Sequence, residues 1–519
     1  MKTDKIPFKD THSFSKVFLD YIDNTESLRP FFGEFPDMEG FLKTLKARKF
    51  EDSKRKVLKE ALSNQYGSLE VSDTIQQNLQ LLEDSKTFTL TTGHQLNIFT
   101  GPLYFIYKIA TVVNAAKALK EAYPEYHFLP VYWMASEDHD FEEISFFHLG
   151  GKKYRWKTDQ TGPVGRFQTN GLSQVLEEID EELPYFPKAY KEHNKLADAC
   201  RCYVSEIFAE HGVIVVDGDD HALKSLFTPI IKEEVLEPKA ATLVARTNKE
   251  LSEIGYSSQA FIRDINFFHL GENYRERIIQ KEDHSYGLAD SEKQFTAASI
   301  AEEIISNPEN FSPNVILRPL YQEVILPNIG YTGGPAEVAY WLQLKAVFDY
   351  YKVDFPVLLP RCFGLYIPRN TARKIEKNGF GLSELFEPEQ ALKKKVLDKI
   401  GEDYSLASKA EQFQHLWDDI RALAGGIDPT LSPHAEAEKV RIEKRIHHLE
   451  GKMRKAVERK NADALCQIED IKRVLAPNDS LQERHDNFLT YYFSNRNFVS
   501  EVMEAFDPFD LRFHIMWEE

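Results

Sequence analysis

The densest group of reactive side chains is the segment Ser136-Glu-Asp-His-Asp-Phe-Glu-Glu143, which contains five carboxylates and a histidine. Such carboxylates repel one another unless they bind a cation, an ammonium group or several hydroxyl groups. We predict Asp138, His139 and Asp140 as catalytic residues and Glu137 as a binding residue. In an extended segment Asp138 and Asp140 would share one face, and His139 would point away. The same side chains could ligate Mg²⁺ or Zn²⁺, or form only a solvated acidic turn, so no firm metal prediction follows.

A second group, Gly93-His94-Gln95 with Thr100-Gly101-Pro102, has the composition of an anion-binding turn. Glycine lets the backbone approach a ligand closely, and the N-terminus of a following helix offers free N–H groups to a phosphate or carboxylate. Thr100 is expected to be the helix N-cap, with Pro102 in the first turn. We predict His94 as a catalytic residue that donates to a phosphate oxygen or leaving pyrophosphate; a histidine that merely caps a helix is the alternative. The binding residues predicted here are Gly93, Gln95, Thr100 and Gly101.

A third group, Thr332-Gly-Gly-Pro-Ala-Glu337, precedes Tyr340. Two glycines at the start of a helix can surround an anion, and Glu337 could accept hydrogen bonds from ribose or sugar hydroxyls. A purely structural turn is the alternative. The binding residues predicted here are Gly333, Gly334, Glu337 and Tyr340. The acidic segment Asp217-Gly-Asp-Asp220 is interpreted as a turn, because it lacks the rest of a calcium-binding pattern.

Three basic residues, Lys108, Arg318 and Arg361, lie near these groups in the sequence. They are predicted to bind anions, since a guanidinium matches a carboxylate or phosphate with two parallel hydrogen bonds. The four cysteines lack the C-x-x-C spacing of a zinc site or redox motif. They are expected to be buried reduced thiols of a cytosolic protein.

Short apolar segments are predicted to be the strands that position these groups. They are Thr87–Thr92, Phe128–Met134, Gly212–Val216, Val324–Leu326 and Pro356–Leu359. A helix between the first two completes a βαβ unit, whose strands are parallel, and another helix is expected from about residue 336. In open α/β sheets, ligands bind outside the carboxyl ends of the strands. We therefore predict an α/β fold: a doubly wound parallel sheet across about residues 80–375, with an α/β insertion near 150–310.

The C-terminal third has the pattern of an antiparallel coiled-coil arm. Apolar residues recur at alternating steps of three and four positions in two stretches, which are separated by the helix-breaking segment from Gly425 to Pro433. The first stretch is Phe413, Leu416, Ile420 and Leu423, and the second is Ile442, Ile446, Leu449, Met453 and Ala456. Charged flanking residues favour a solvated arm over a buried pair of helices.

Length and charge restrict the functional classes. A chain of 519 residues exceeds one ordinary domain, and 64 basic against 82 acidic residues give a net charge of −18. That balance disfavours broad nucleic-acid binding, which needs a basic surface. Residues 1–7 lack an apolar signal core, and Asn97, Lys108 and Asn114 interrupt the most apolar region. We expect a cytoplasmic protein without a nucleic-acid or membrane partner.

Three signatures together resemble the bacterial bacillithiol biosynthesis cysteine-adding family, BshC. The first is Thr92-Gly-His-Gln95 with Phe99-Thr-Gly-Pro-Leu-Tyr104 and Tyr107-Lys108; the second is Pro130-Val-Tyr-Trp133 with Ser136–Glu143; the third is Leu317-Arg-Pro319, Gln322, Leu326-Pro327 and Gly333–Tyr340. The resemblance adds Gln322 to the predicted binding residues. Many members have Gly-Gln-Gln where this chain has Gly93-His94-Gln95, and no Lys-Met-Ser-Lys-Ser loop is present.

The resemblance implies a Rossmann-like core with inserted connecting segments, related to class I aminoacyl-tRNA synthetases, and a coiled-coil arm that forms a homodimer. On this basis the chain divides into six segments. They are an N-terminal helical segment 1–80, the first part of the core 81–150, the inserted region 151–310, the last part of the core 311–385, the arm 386–480 and a returning segment 481–519.

The resemblance also implies that the chain joins the carboxyl group of cysteine to the amine of glucosaminyl malate, the last step of bacillithiol synthesis. A carboxylate needs activation, which ATP could supply, lying across residues 93–100 and 332–337. Asp138 or Asp140 would hold an ammonium group, and Arg318 or Arg361 would bind malate carboxylates. The alternatives are a metal-dependent hydrolase of an amino sugar, using Asp138, His139 and Asp140, and a non-catalytic coiled-coil assembly protein.

Overall fold

The computed structural model describes residues 1–67, 69–400 and 405–519. These residues form two compact units, one from residues 1–366 and 480–516 and the other from residues 367–479 and 517–519. Ser68 and residues 401–404, which belong to the predicted segments 1–80 and 386–480, lie outside the described residues. Within the described ranges, no helix combines the length and apolar character that crossing a membrane requires.

The strands are β1 (Lys2–Ile6), β2 (Thr87–His94), β3 (His127–Met134), β4 (Phe146–Leu149), β5 (Lys152–Arg155), β6 (Ile214–Asp217), β7 (Phe267–Leu270), β8 (Arg275–Gln280), β9 (Tyr286–Leu288), β10 (Gln294–Phe295), β11 (Phe311–Pro313), β12 (Asn328–Gly333), β13 (Val357–Pro360), β14 (Gly364–Ile367) and β15 (Phe513–Trp517). They form a parallel sheet, an antiparallel sheet, a three-stranded sheet and a two-stranded hairpin.

The α-helices are α1 (Lys16–Ile22), α2 (Met38–Ala47), α3 (Asp52–Tyr66), α4 (Asp73–Leu81), α5 (Tyr104–Ala122), α6 (Phe141–Ile144), α7 (Leu172–Glu177), α8 (Phe186–Glu192), α9 (Leu196–Ile207), α10 (His221–Ser225), α11 (Thr228–Leu236), α12 (Ala240–Glu253), α13 (Ala297–Ser306), α14 (Arg318–Ile325), α15 (Pro335–Trp341), α16 (Lys345–Tyr351), α17 (Arg369–Asn378), α18 (Glu389–Ile400), α19 (Ala407–Ile427), α20 (Leu431–Lys460), α21 (Ala462–Leu475), α22 (Gln482–His485), α23 (Leu489–Tyr492) and α24 (Phe498–Ala505).

The centre of the first unit is a five-stranded parallel sheet in the order β13-β12-β2-β3-β6. Strand order runs outward from β2 through β3 to β6, and then reverses to β12 and β13, so the switch point lies between β2 and β12. Every residue of β2 is buried, and β3 is buried from Phe128 to Met134. The strands predicted near residues 87, 128, 212 and 356 are therefore confirmed. The first is rich in β-branched threonine, and the run Phe128–Met134 has the continuous apolar character of a strand covered on both faces.

The strand predicted at Val324–Leu326 is wrong. Val324 belongs to helix α14, and the strand follows as β12. A short apolar run does not by itself distinguish a strand from a buried helix, and two glycines lower the strand propensity of β12. Gly330 is required by close packing, because a Cβ at this position would lie 2.7 Å from the ring of Phe41.

Helix α5 begins later than predicted, and Thr100 is not its N-cap. Phe99 and Thr100 have φ values of +52° and +67°, in a short 3-10 turn that precedes the helix. The N-cap position belongs to Leu103. Helix α5 packs against β2 and β3 and is buried along nearly its whole length. Each fully buried aliphatic side chain of this kind contributes about 1.5–3 kcal/mol.

The region between β6 and β12 contains an antiparallel sheet in the order β10-β9-β8-β7-β11. Strand β8 is mostly polar, and its polar and apolar residues do not alternate regularly. The sequence therefore gives little indication of a strand there. This sheet brings Phe268, Arg275 and Ser312 to one wall of the cavity described below. The hairpin β4–β5 follows helix α6 directly.

The second unit consists of helices α17 to α21. Helices α19 and α20 pack together after the chain reverses at residues 428–430, so the predicted antiparallel pair is confirmed. Trp417 Nε1 donates to the carbonyl oxygen of Ala435 at 2.7 Å, and Arg421 pairs with Glu436 at 3.0 Å.

The apolar stripe assigned to α19 does not face α20. Leu416 and Leu423 are 58% and 71% exposed, while Phe413 and Trp417 are half-buried. The spacing predicted the helical period correctly, but it could not select between two adjacent faces of one helix.

Candidate functional site

A cavity of about 580 Å³ lies at the carboxyl ends of β2, β3 and β12, at the switch point of the parallel sheet. Its wall includes eleven of the predicted site residues: Gly93, His94, Gln95, Lys108, Glu137, Asp138, Arg318, Gly334, Glu337, Tyr340 and Arg361. The other six lie off its wall: Thr100, Gly101, His139, Asp140, Gln322 and Gly333. The parallel sheet thus brings all three sequence groups to one place.

Lys108 and Glu337 join two of these groups across the switch point. Lys108 Nζ donates to the carbonyl oxygen of Gly93 at 2.7 Å and pairs with Glu337 Oε2 at 2.6 Å. Glu337 also accepts from Tyr331 Oη at 2.6 Å and from the backbone N–H of Gly334 at 2.8 Å. Burial opposes the charge of Glu337, but Lys108 outweighs it and the pKa of Glu337 is lowered. Glu337 is therefore already saturated, which leaves it little capacity for sugar hydroxyls.

Arg318 is the basic side chain best placed to bind an anion. Its guanidinium lies over the rings of Trp133 and Tyr331, and it makes no ion pair within the described residues. Nη1 donates to Gln322 Oε1 at 3.1 Å, whereas Nη2 is buried without a hydrogen-bond partner in the described part of the chain. Gln322 is fully buried behind the cavity wall. It therefore contacts Arg318 and does not line the cavity itself.

Arg361 lines the same cavity, but its charge is already paired. Nη1 donates to Glu483 Oε2 at 3.0 Å, Nη2 pairs with the other carboxylate oxygen, and the guanidinium lies 3.8 Å from the ring centre of Phe363. Glu483 comes from the returning segment after residue 480. Arg318 is therefore freer than Arg361 to bind an anion.

His94 has a defined tautomer. Its Nδ1 lies 2.8 Å from the carbonyl oxygen of Gln95, and because that oxygen can only accept, Nδ1 carries the hydrogen. Burial, reinforced by the charge of Lys108, lowers the pKa of His94 to about 3, so the ring is neutral. Nε2 then holds a lone pair and has no hydrogen-bond partner in the described residues. The predicted donation from His94 to a phosphate does not fit this tautomer, since Nε2 can only accept.

Asp138 is held as an ion by three neighbours. It accepts from Gln95 Nε2 at 3.0 Å and from the backbone N–H of His139 at 2.8 Å, and it lies 3.6 Å from Arg275 Nη1. Burial disfavours the charge, but His139, Arg275 and Gln95 outweigh it and lower the pKa of Asp138. Such a carboxylate is a weak base, and its charge is already balanced by Arg275.

Glu137 on the same wall forms an ion pair with Lys224, which also donates to the carbonyl oxygen of Phe311 at 2.7 Å. Burial raises the pKa of Glu137, and Lys224 opposes that rise. Both groups are buried in the first unit, so this pair braces the wall from behind.

His139 and Asp140 do not line the cavity. Arg275 Nη1 lies 3.0 Å from His139 Nδ1, so the His139 ring contacts Arg275 outside the cavity. Asp140 is the N-cap of α6, accepting from the backbone N–H of Glu143 at 3.3 Å. Asp138 and Asp140 therefore do not share a face. The segment is a turn followed by a helix cap, and the alternation of an extended strand does not apply.

Three of the predicted glycine and threonine residues have structural roles. Gly101 has φ +62°, and its carbonyl oxygen accepts from Asn487 Nδ2 at 2.6 Å. The hydroxyl of Thr100 is buried without a partner in the described chain. Gly333 ends β12, and a Cβ there would lie 2.9 Å from the Glu337 Cβ.

A metal centre receives no support from these positions. The residues that the structure describes contain no group of three His, Cys, Asp or Glu side chains that could hold a metal ion. Asp138 and His139 are both engaged by Arg275. The metal-dependent hydrolase alternative therefore has little basis in the observed geometry.

Two family models together match almost the whole chain. One, described as the bacillithiol biosynthesis BshC N-terminal Rossmann-like domain, matches residues 1–362, and the other, described as the BshC C-terminal coiled-coil domain, matches residues 364–518. The chain belongs to the BshC family. The predicted family, the Rossmann-like α/β core and the coiled-coil C-terminal region are confirmed.

Individual BshC relatives are similar over their full length. A protein of Cytophaga hutchinsonii is 41% identical, with 97% of each chain covered. One of Flavobacterium johnsoniae is 39% identical, covering 99% of this chain and 100% of the relative. A more distant one, of Salinibacter ruber, is 28% identical over 92% of each chain. All three carry the name "Putative cysteine ligase BshC".

Several cavity residues of this BshC chain were not predicted from the sequence. They are Tyr104, Trp133, Glu143, Phe268, Arg275, Ser312, Tyr331 and Arg484. Trp133, Glu143 and Tyr331 lie inside or beside the quoted signatures, so their neighbourhood was available as a signal. Arg275 and Arg484 had none, because they come from the antiparallel sheet and from the segment that returns after residue 480.

Proposed function

We propose that this BshC-family chain is a cysteine ligase that forms an amide bond between the carboxyl group of L-cysteine and the amine of glucosaminyl malate. The reaction would complete bacillithiol synthesis in the cytoplasm. The observation that carries the proposal is the cavity at the switch point, in which the unpaired guanidinium of Arg318 shares a wall with acidic side chains. The names of the relatives agree with this reaction class.

We further propose that ATP activates the cysteine carboxylate, since a carboxylate is a poor electrophile in water. The residues fit an anionic co-substrate. A Cβ at Gly93 would lie 3.4 Å from Tyr331 Oη and 3.5 Å from Arg318 Nη1, so the glycine leaves space against a basic group. Arg484, which is exposed and makes no ion pair in the described residues, adds a second cation to the wall. ATP supplies the activation, while Arg318 and Arg484 would hold anionic groups.

The two ends of the acceptor substrate differ in charge, and the cavity wall likewise has basic and acidic parts. Malate carries carboxylates that suit Arg318, and the amine suits the acidic wall. Lys108 and Glu337 neutralise each other's charge, and Lys108 donates to the carbonyl oxygen of Gly93. This arrangement supports one binding orientation, with the amine directed away from Arg318.

The test is product formation by the full-length protein. Purified chain would be incubated with cysteine, ATP and glucosaminyl malate, and mass spectrometry would follow the amide product and the nucleotide. We expect product only when all three are present. Arg318→Ala should reduce kcat/KM for glucosaminyl malate by about 10² or more, and Arg277→Ala, on the exposed side of β8, should not. Absence of product and of nucleotide turnover in the wild-type protein would contradict the proposal.

We also propose that two copies associate through the outer face of α19. The apolar residues Leu416, Ile420, Leu423 and Ile427 follow one another at steps of four, three and four, and each is exposed in the single chain. A continuous apolar stripe of this spacing is the sequence requirement of a coiled-coil contact. Light scattering should give a dimer mass for the wild-type protein and a monomer mass for Leu416→Glu/Leu423→Glu. A monomeric wild-type protein would refute this contact.

A further inference from the structure

Four carboxylates line the cavity, and three of them already have a positive partner. Glu137 pairs with Lys224, Asp138 with Arg275, and Glu337 with Lys108. The fourth, Glu143, lines the cavity but makes no ion pair and no side-chain hydrogen bond with the described residues. The cavity therefore offers one uncompensated negative charge.

The backbone of Glu143 is fixed from two sides. Asp140 caps α6 by accepting from the Glu143 N–H at 3.3 Å, and Asn97 Nδ2 donates to the Glu143 carbonyl oxygen at 3.1 Å. Asn97 belongs to the loop between β2 and α5, so the helix that carries Glu143 is attached to the core at the end of β2. The backbone of Glu143 is therefore held in place, whereas its side chain is exposed and could contact a ligand.

The neighbouring glutamate provides a natural comparison. Glu142 is exposed, pairs with Arg155 at 2.8 Å and does not line the cavity. Two adjacent residues of the same type thus differ in one respect that matters for ligand binding. Glu142 is compensated outside the site, and Glu143 is uncompensated inside it.

We propose that Glu143 is the residue that receives the amino group of the acceptor substrate and accepts its proton during amide formation. This inference rests on the proposed function, because it assigns a role within that reaction. An ammonium group would supply the missing positive charge, and the carboxylate would orient the nitrogen.

The proton balance of the step is as follows. The bound ammonium loses its first proton to solvent, and the neutral nitrogen forms the C–N bond with the activated acyl carbon. The nitrogen is then positively charged and strongly acidic, so Glu143 can take its second proton. The C–O bond to the activating phosphate breaks, and its electron pair leaves on that oxygen. Glu143 returns the proton to water, to which it is exposed.

The charged surroundings of Glu143 favour this role. Partial burial, together with the negative charges of Asp138 and Asp140, raises the pKa of Glu143. Tyr104 and Arg484 line the same cavity, and the charges of Arg484 and Glu143 both act on Tyr104, while Arg275 is engaged by Asp138. A carboxylate with a raised pKa is a better proton acceptor, and its basic form is lost as the pH falls through that raised pKa.

The test compares Glu143→Gln and Glu143→Asp with the matched control Glu142→Gln. Amide formation is measured with glucosaminyl malate, and the activation half-reaction is measured separately as cysteine-dependent exchange of labelled pyrophosphate or labelled ADP into ATP. We expect Glu143→Gln to lower amide formation by about 10²-fold or more and to leave exchange within about 2-fold. Glu143→Asp should recover part of the rate, and Glu142→Gln should match the wild type.

A direct binding measurement separates this inference from the proposed function. By calorimetry, Glu143→Gln should bind glucosaminyl malate about 10-fold more weakly than the wild type, and Glu142→Gln should bind it equally well. If the wild-type protein forms no amide, the proposed function fails, and this calorimetric comparison alone decides the role of Glu143 in amine binding. Equal affinity of wild type and Glu143→Gln, or undiminished amide formation by the variant, would overturn the inference.

Discussion

The buried carboxylate of Glu323 should make the stability of the first unit fall as the pH rises. Glu323 lies behind Arg318: its Oε1 accepts from Gln322 Nε2 at 2.8 Å and from Asn328 Nδ2 at 2.7 Å. Its Oε2 has no hydrogen bond in the described residues and lies 3.8 Å from Arg48 Nη2. Burial raises the pKa of Glu323 to about 7, even though Arg48 and the two amides favour the charged form.

The sign and size of the effect follow from proton linkage. Between the ordinary glutamate value and about 7, the unfolded chain is ionised while the folded protein keeps its proton, so the folded state binds more protons and loses stability as the pH rises. The contribution is fully present below the unfolded pKa of 4.5 and is lost by the time the pH passes 7. From these two values, about 2.5 kcal/mol is lost between pH 5 and pH 8.

Glu323→Gln isolates this contribution, because glutamine keeps the Oε1 acceptor but does not titrate. Urea denaturation of the wild type and the variant would be followed by circular dichroism at pH 5, 6, 7 and 8. The free energy of unfolding of the variant, relative to the wild type, should increase by about 2.5 kcal/mol across this range. Glu302→Gln, an exposed change on α13, should show no such trend. A pH-independent difference between Glu323→Gln and the wild type would refute the reasoning.

Three further substitutions test the walls of the cavity. Lys108→Met leaves Glu337 without its cation and should lower the free energy of unfolding by about 3 kcal/mol. The double variant Lys108→Met/Glu337→Gln should regain part of that loss. Equal stability of Lys108→Met and the wild type would contradict the pairing. Arg361→Met should cost about 3–5 kcal/mol, since Glu483 is fully buried, and a loss below 1 kcal/mol in urea denaturation would argue against the bidentate pair. Gly93→Ala places a methyl group 3.4–3.5 Å from Tyr331 and Arg318. The KM for ATP should therefore rise about 10-fold, while the melting temperature stays constant. An unchanged KM would show that no ligand approaches Gly93.

Most strands of the parallel sheet were predictable because they are runs of apolar or β-branched residues. Phe128–Met134 is such a run, and it forms an inner strand between β2 and β6. Strand β12 was missed because Gly330 replaces a side chain that would collide with Phe41, and that contact joins residues far apart in the sequence. Local propensity contains no information about such a collision.

The location of the site was predictable, but the state of its charges was not. Strand ends placed Gly93, Asp138 and Glu337 together, as the rule for open α/β sheets requires. Lys224 from α10 and Arg275 from β8 determine which of the carboxylates have a positive partner. No sequence motif indicates that these two side chains reach the cavity wall. For this reason sequence reasoning selected Asp138 or Asp140 as the group that holds the ammonium, whereas the proposal for Glu143 depends on these ion pairs.

The three-stranded sheet has a consequence for how the protein is made. Strand β15 lies between β1 and β14, so β1 has β15 as its neighbour, and about 500 residues of chain separate the two. On the ribosome, β1 therefore emerges long before its neighbour exists, and its free backbone edge is open to mispairing. A chaperone that shields this edge during translation would raise the yield of folded protein. Deletion of Phe513–Trp517 would leave two edges uncovered and should favour aggregation over partial activity.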